Sequence, residues 1–211
     1  AAYKRLEFLT PIAKAWATEV AQEVTGLGVQ IHGGMGFVEE TGAAQFVRDA
    51  RIITIYEGTT GIQGLDLIGR KILRDGGAQL MSVMAEVEAT VKQLQTESNS
   101  LPQLTAELTT ALDQWQKASL DITGRVMDDV DLVGACSVNY LMLCGTVLGG
   151  WLMAKSALVA MEKTSEDPDF YGAKIITAEF YAAHILPRAS AYATAATADS
   201  QLTMGLKEEQ F

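Results

Sequence analysis

Residues 41–60 read TGAAQFVRDARIITIYEGTT, a run that turns apolar and stops at one carboxylate, Glu57, followed at once by Gly58 and Thr59. Thr41 is a residue type that caps helix starts, so the stretch predicts a helix from Thr41 to Tyr56 that Gly58 breaks. Such an acid has two readings: a solvated Glu at a glycine-capped helix end, or a reactive carboxylate held at a break. Flanked by Ile55, Tyr56 and Gly58, it can be partly desolvated, which makes it a stronger base. Gly58 leaves room for a substrate. The N–H groups around Gly58 and Thr59 open the next helix, where a ligand oxygen or phosphate finds donors.

The helical pattern continues on both sides. Residues 1–25 carry Leu6, Leu9, Ile12, Ala13, Trp16, Val20 and Val24 at spacings of three and four, a helix that Gly26 and Gly28 are expected to end. Residues 26–40, GLGVQIHGGMGFVEE, read as a glycine-dense loop. After Glu57, TTGIQGLDLIGRKILRD sets Ile62, Leu65, Ile68 and Leu73 along one side of a helix, and Gly76–Gly77 mark a boundary. Residues 78–97 then place Leu80, Met84, Val87, Val91 and Leu94 in four-three alternation, a bundle seam. ESNSLP (97–102) reads as a linker, and residues 102–130 continue with Leu104, Leu108, Leu112, Trp115, Ile122 and Val126. Residues 131–163 form the most apolar helix; a turn at SEDPDF leads to a last one, from about 169 to 198, that Pro187 should kink. No strand pattern or repeat appears. The expected fold is all-α, with residues 1–77 as one unit and 78–211 as a four-helix up-down bundle.

Composition narrows the function classes. The 211 residues are 48% hydrophobic and 20% charged, enough to bury a sizeable core and too apolar for disorder. The net charge of −10, with no Lys/Arg-rich stretch, argues against a nucleic-acid partner. Residues 1–77 hold 8 basic and 9 acidic side chains against 8 and 17 in the remainder, so the first third suits an anionic ligand better. Cys136 and Cys144, eight apart on one helix and so about 12 Å apart, cannot bond to each other. They read as two buried thiols in a reducing compartment, and with only His32 and His184 no zinc cluster forms. Leu132 to Ala154 run 23 residues without a charge, long enough to span a bilayer, yet Ser137, Asn139, Thr146 and four glycines point to a buried bundle helix. The chain opens AAYKRLEFLT, without initiator Met or signal peptide and as a helix already under way; it is expected to belong to something longer.

QIHGGMGF (30–37) packs Gly33, Gly34 and Gly36 into four positions. Such loops let backbone N–H groups approach a phosphate, although helix-to-helix turns use glycine too. No strand precedes it and no Gly-Lys-Ser/Thr follows, so it is neither a P-loop nor a dinucleotide fingerprint.

Gln30, Gly33, Gly34 and Gly36, then Arg48-Asp49-Ala50, then Tyr56-Glu57-Gly58-Thr59 together resemble the acyl-CoA dehydrogenase family, whose motifs come in this order. The resemblance covers roughly residues 1–75; residues 78–205 resemble, by architecture and position, the extra C-terminal helical domain of a larger-subunit branch. It implies that residues 1–77 are the end of the family's helical domain and that the cofactor is FAD. Glu57 would be the base that removes the α-proton of a fatty acyl-CoA thioester in β-oxidation while a β-hydride passes to the flavin. The Glu57 N–H, next to Gly58, would help hold the thioester carbonyl. Gln30, Gly33 and Gly34 would meet the adenosine and pyrophosphate of FAD, commonly that of a neighbouring subunit, and Thr59 would also touch FAD. Gly61 stands where the family often has Gln, so that FAD contact is left unassigned and is not transferred to Gln63. Electron-transfer flavoprotein as acceptor, a homodimer or homotetramer, and a bacterial cytoplasm or mitochondrial matrix are also implied. The chain by itself is expected to be inactive.

His32 reads as polar filler of the loop, Arg48 as the partner of a carboxylate, and DDVD (128–131) as a solvated helix junction. The alternatives are a helical oligomerisation module, in which the glycine loop and Glu57 are only turns, and an acyl-CoA oxidase of the same family.

Overall fold

A computed structural model describes residues 2–96 and 101–210. It holds ten α-helices and, among the described residues, no strand. In chain order these are α1 (Ala2–Ile31), α2 (Gly34–Phe37), α3 (Ala43–Ile53) and α4 (Thr60–Leu65), then α5 (Ala78–Thr96), α6 (Pro102–Arg125), α7 (Leu132–Lys163), α8 (Pro168–His184), α9 (Arg188–Ala196) and α10 (Gln201–Met204). The all-α expectation holds. Most of the linker expected at 97–102 lies outside the described residues.

α7 is the centre of the molecule. It touches α1, α4, α5, α6, α8 and α9, and its Leu132, Tyr140, Leu141, Leu143, Cys144, Val147, Ala154 and Ala157 are all buried. This one helix is long and apolar enough to cross a membrane, with most of that stretch buried among its neighbours. Its glycines admit close crossings: a side chain at Gly145 would collide with Trp16 of α1, and one at Gly149 with Tyr181 of α8. Both thiols are interior as expected, and burial pushes Cys136 up to about 11. Each fully buried Leu or Tyr here contributes on the order of 1.5–3 kcal/mol of transfer free energy.

The seam on α5 is as expected, with Leu80, Met84, Val87, Val91 and Leu94 buried. Other expectations change. α1 does not end at Gly26 but runs to Ile31, because glycine inside a helix costs only about 1 kcal/mol and neither Gly26 nor Gly28 is left-handed; the first left-handed residue is Gly33. Its buried face matches the expected stripe only in part: Ile12 is interior and Leu9 and Trp16 pack on the core, but Phe8 and Ala15 are buried too, while Leu6 and Val24 are 62% and 58% exposed. Thr41 does not cap α3. Its hydroxyl donates to the carbonyls of Met35 and Val38, and left-handed Gly42 starts the helix. α6 ends at Arg125 rather than near residue 130, and the last helix is two, α8 and α9, broken over 185–187 because Pro187 cannot donate a helical N–H.

After α4 the same helical rod widens into a π-type stretch (Asp66–Ile72) and tightens at Leu73–Asp75. Gly76 and Gly77, φ +66° and +77°, then turn the chain into α5. Phe8, Ile12, Leu67 and Ile68, before that turn, share one buried cluster with the helices after it. An Arg5–Glu86 ion pair joins α1 to α5 across it.

Candidate functional site

α3 ends at Ile53, where Thr54 is buried and its hydroxyl donates to the Arg51 carbonyl at 3.1 Å. The chain then turns through Ile55–Gly58 before α4 begins. Within that turn Glu57 has φ +54°, and it is the one non-glycine residue with positive φ among the described residues. A left-handed backbone costs a residue with a Cβ on the order of 1–3 kcal/mol, so surrounding contacts must hold it. Gly58 follows at φ +91°, and a side chain there would also press within 2.7 Å of the Gln63 amide nitrogen. The left-handed conformation favours glycine there, and a side chain would displace the Gln63 amide from its place in the turn.

The turn is pinned on successive residues. Gln63 Nε2 donates to the Glu57 carbonyl at 3.1 Å, and Lys14 Nζ of α1 donates to the Gly58 carbonyl at 2.6 Å. Thr59 is the N-cap of α4, its hydroxyl oxygen accepting from the Ile62 N–H at 3.3 Å. The Thr60 hydroxyl donates to Glu19 of α1. Sequence reading did not identify Lys14 or Glu19. The signal was a lysine set among Ile12, Ala13, Ala15 and Trp16, where an apolar face was expected.

Beside the turn lies an open cavity of about 430 Å³, lined by Glu57, Gly58, Ile62, Gln63, Leu65, Asp66 and Arg70. Ile62 and Leu65 are 54% and 41% exposed, so two residues expected in the core instead form an apolar wall; Leu67 and Ile72 fill the core in their place. Asp66 faces Arg70 at 3.2 Å across the far end. The Glu57 carboxylate is exposed, as are Ile55 and Tyr56, so the expected partial desolvation is not supplied by this chain's own residues.

Gln30 lies in the last turn of α1 and is exposed. Gly33, φ +59°, and Gly34 are exposed, and a side chain at either would meet nothing within 4 Å. None of the three lines the cavity beside Glu57. They precede α3 whereas Glu57 follows it, and the 11 residues of α3 span about 16 Å. His32 is occupied locally, its Nδ1–H donating to the Gly28 carbonyl at 2.8 Å. Arg48 pairs with Glu39 at 2.8 Å, the carboxylate partner expected. In DDVD, Asp129 accepts from Ser200 at 2.7 Å and ties the α6–α7 junction to the end of the chain.

The chain matches two family models: "Acyl-CoA dehydrogenase, C-terminal domain" over residues 3–73 and "Acetyl-CoA dehydrogenase C-terminal like" over residues 83–207. It is 43% identical to 3-methylmercaptopropionyl-CoA dehydrogenase of Ruegeria pomeroyi, over 95% of this chain and 35% of the relative. It is 34% identical to a broad-specificity linear acyl-CoA dehydrogenase of Mycobacterium tuberculosis, over 88% of this chain and 32% of the relative. A shorter stretch, 28% of this chain and 15% of the relative, is 41% identical to the CarC subunit of the caffeyl-CoA reductase-Etf complex of Acetobacterium woodii. The chain thus spans about a third of the length of the first two relatives. With both models side by side along the chain and close relatives over nearly all of it, this protein belongs to the acyl-CoA dehydrogenase family and carries its C-terminal helical portion.

Proposed function

We propose that the chain works as the C-terminal part of an FAD-dependent acyl-CoA dehydrogenase, with Glu57 as the base that takes the α-proton of an acyl-CoA thioester. The left-handed Glu57 carries this reading: a solvated helix-end Glu has no need of a strained backbone held by two residues from two helices. The apolar wall of Ile62 and Leu65 suits an acyl chain, and Gly58 leaves the approach to the carboxylate open. The Glu57 N–H can donate to the thioester carbonyl and stabilise negative charge as the proton leaves.

The glycine loop fits FAD in chemistry. Gly33 and Gly34 expose backbone with no side chain in the way, and Gln30 offers a free-standing amide. These residues and Thr59 would hold it; when bound, FAD supplies the acceptor for the β-hydride. The separation of the loop from Glu57 supports contact with the FAD of a neighbouring subunit, hence a homodimer or homotetramer. Ile31, Phe37 and Phe46, exposed at 85%, 82% and 68%, support burial of this surface against further protein. Resemblance to a subunit of an Etf complex supports electron-transfer flavoprotein as acceptor.

The test is Glu57→Gln in the full-length enzyme that carries this chain. The amide keeps shape and hydrogen bonding but cannot accept the proton, so turnover should fall by at least roughly 10²–10⁴-fold. FAD should stay bound, and acyl-CoA should perturb its spectrum without bleaching it. Near-normal turnover would end the assignment.

A further inference from the structure

We propose that Lys14, acting with Gln63, is a positioning residue for the Glu57 carboxylate. The inference rests on the reading of Glu57 as the base and adds how this fold aims it. Glu57 is left-handed, and a left-handed residue bearing a Cβ relaxes toward ordinary φ unless surrounding contacts hold it. Two carbonyls fix the peptides that follow it: that of Glu57, which accepts from Gln63, and that of Gly58, which accepts from Lys14 at 2.6 Å across 44 positions of sequence. The two donors, one from α1 and one from α4, hold successive carbonyls on the C-terminal side of the strained residue. Lys14 does not line the cavity, so it acts through the backbone and not on the substrate. Lys14 is half-buried on α1, and its ammonium reaches across to the turn. Glu19, one and a half turns further along α1, holds Thr60 and keeps the start of α4 registered on the same helix.

Loss of the Lys14 donor frees the Gly58 carbonyl and lets Glu57 swing, and a displacement near 1 Å can cost about 10²-fold in rate. Lys14→Met keeps the apolar stem and helix propensity but donates nothing. In the full-length holoenzyme it should lower kcat roughly 10–100-fold, keep KM within about threefold and leave flavin content unchanged. A larger α-deuterium isotope effect on kcat should accompany this, because proton removal then becomes more rate-limiting. Lys14→Arg, which can still donate to the carbonyl, should recover most of the rate. If Lys14→Met does not fold, Gln63→Met carries the same test from α4 and should give the same signature. Normal kcat, or losses confined to KM, flavin content or melting temperature, would overturn the proposal. Glu57→Gln run in parallel separates the two readings. An active Glu57→Gln enzyme removes the base itself; an inactive one beside a fully active Lys14→Met enzyme removes only the positioning role.

Discussion

The Tyr140 hydroxyl, on α7, lies 2.7 Å from the Ser119 hydroxyl on α6 in the fully buried interior. The Trp115 N–H donates to Tyr140 at 3.3 Å, and Ser119 donates to the Trp115 carbonyl at 2.7 Å. That leaves one consistent assignment, Tyr140 donating to Ser119, and the hydrogen bonds close on themselves. Burial pushes the Tyr140 phenol far above its ordinary value, so it stays a neutral donor.

Tyr140→Phe should therefore destabilise the fold more than one lost hydrogen bond suggests. It strands the Trp115 N–H in the core, at a cost of about 1–3 kcal/mol. At this size each kcal/mol lowers the midpoint by roughly 2–4 °C. Thermal or urea unfolding measures it, and an unchanged midpoint would show that the network contributes nothing.

Gly149→Ala tests the α7–α8 crossing. The added methyl would meet the Tyr181 ring, with Cζ at 2.9 Å, and Tyr181 now donates to the Thr146 carbonyl at 3.0 Å. Overpacking of this kind costs typically about 1–3 kcal/mol, against the small gain expected from Ala in a helix. A variant more stable than the parent would show that α8 can shift without loss.

Acid should weaken the clasp between α1 and the Pro187 break. Arg188 binds Glu23 through both carboxylate oxygens, at 2.7 and 2.8 Å, and its hydrogen bonds hold the Glu23 carboxyl below its ordinary 4.5. A depressed carboxyl stabilises the fold above the unfolded value and loses that contribution as pH falls through the folded one. The window therefore opens near pH 4.5 and extends downward. Both side chains are about 45% exposed, so the effect is at most about 1 kcal/mol. Melting temperature against pH should fall less steeply below that point in Glu23→Gln than in the parent.

The chain on its own should purify without colour and fail to bleach flavin with acyl-CoA. Glu57, Gly33 and Gly34 are all at its surface, with none of its own residues closing over them. A yellow preparation with one flavin per chain would overturn this expectation.

The sequence alone determined that every long segment is helical, because apolar residues at three- and four-residue spacings, as in Leu80 to Leu94, fit one structure only. It also singled out the acid at the helix break, since a β-branched run stops at Glu57 and is followed by the helix-breaking Gly58. It could not say which stripe of α1 faces inward. Leu6 and Val24 have the same spacing as Ile12, yet packing against the other helices buries Phe8 and Ala15 beside Ile12 and leaves those two exposed. Nor could it show that Ile62 and Leu65 line a cavity, or that Glu57 is left-handed. The first depends on how α4 is rolled against Ser137 of α7, where Gly64 allows the backbones to meet. The second depends on Lys14 and Gln63 reaching the carbonyls of Gly58 and Glu57. Periodicity is a local property of the chain; the sign of one backbone angle is settled by donors that only the folded helices bring to it.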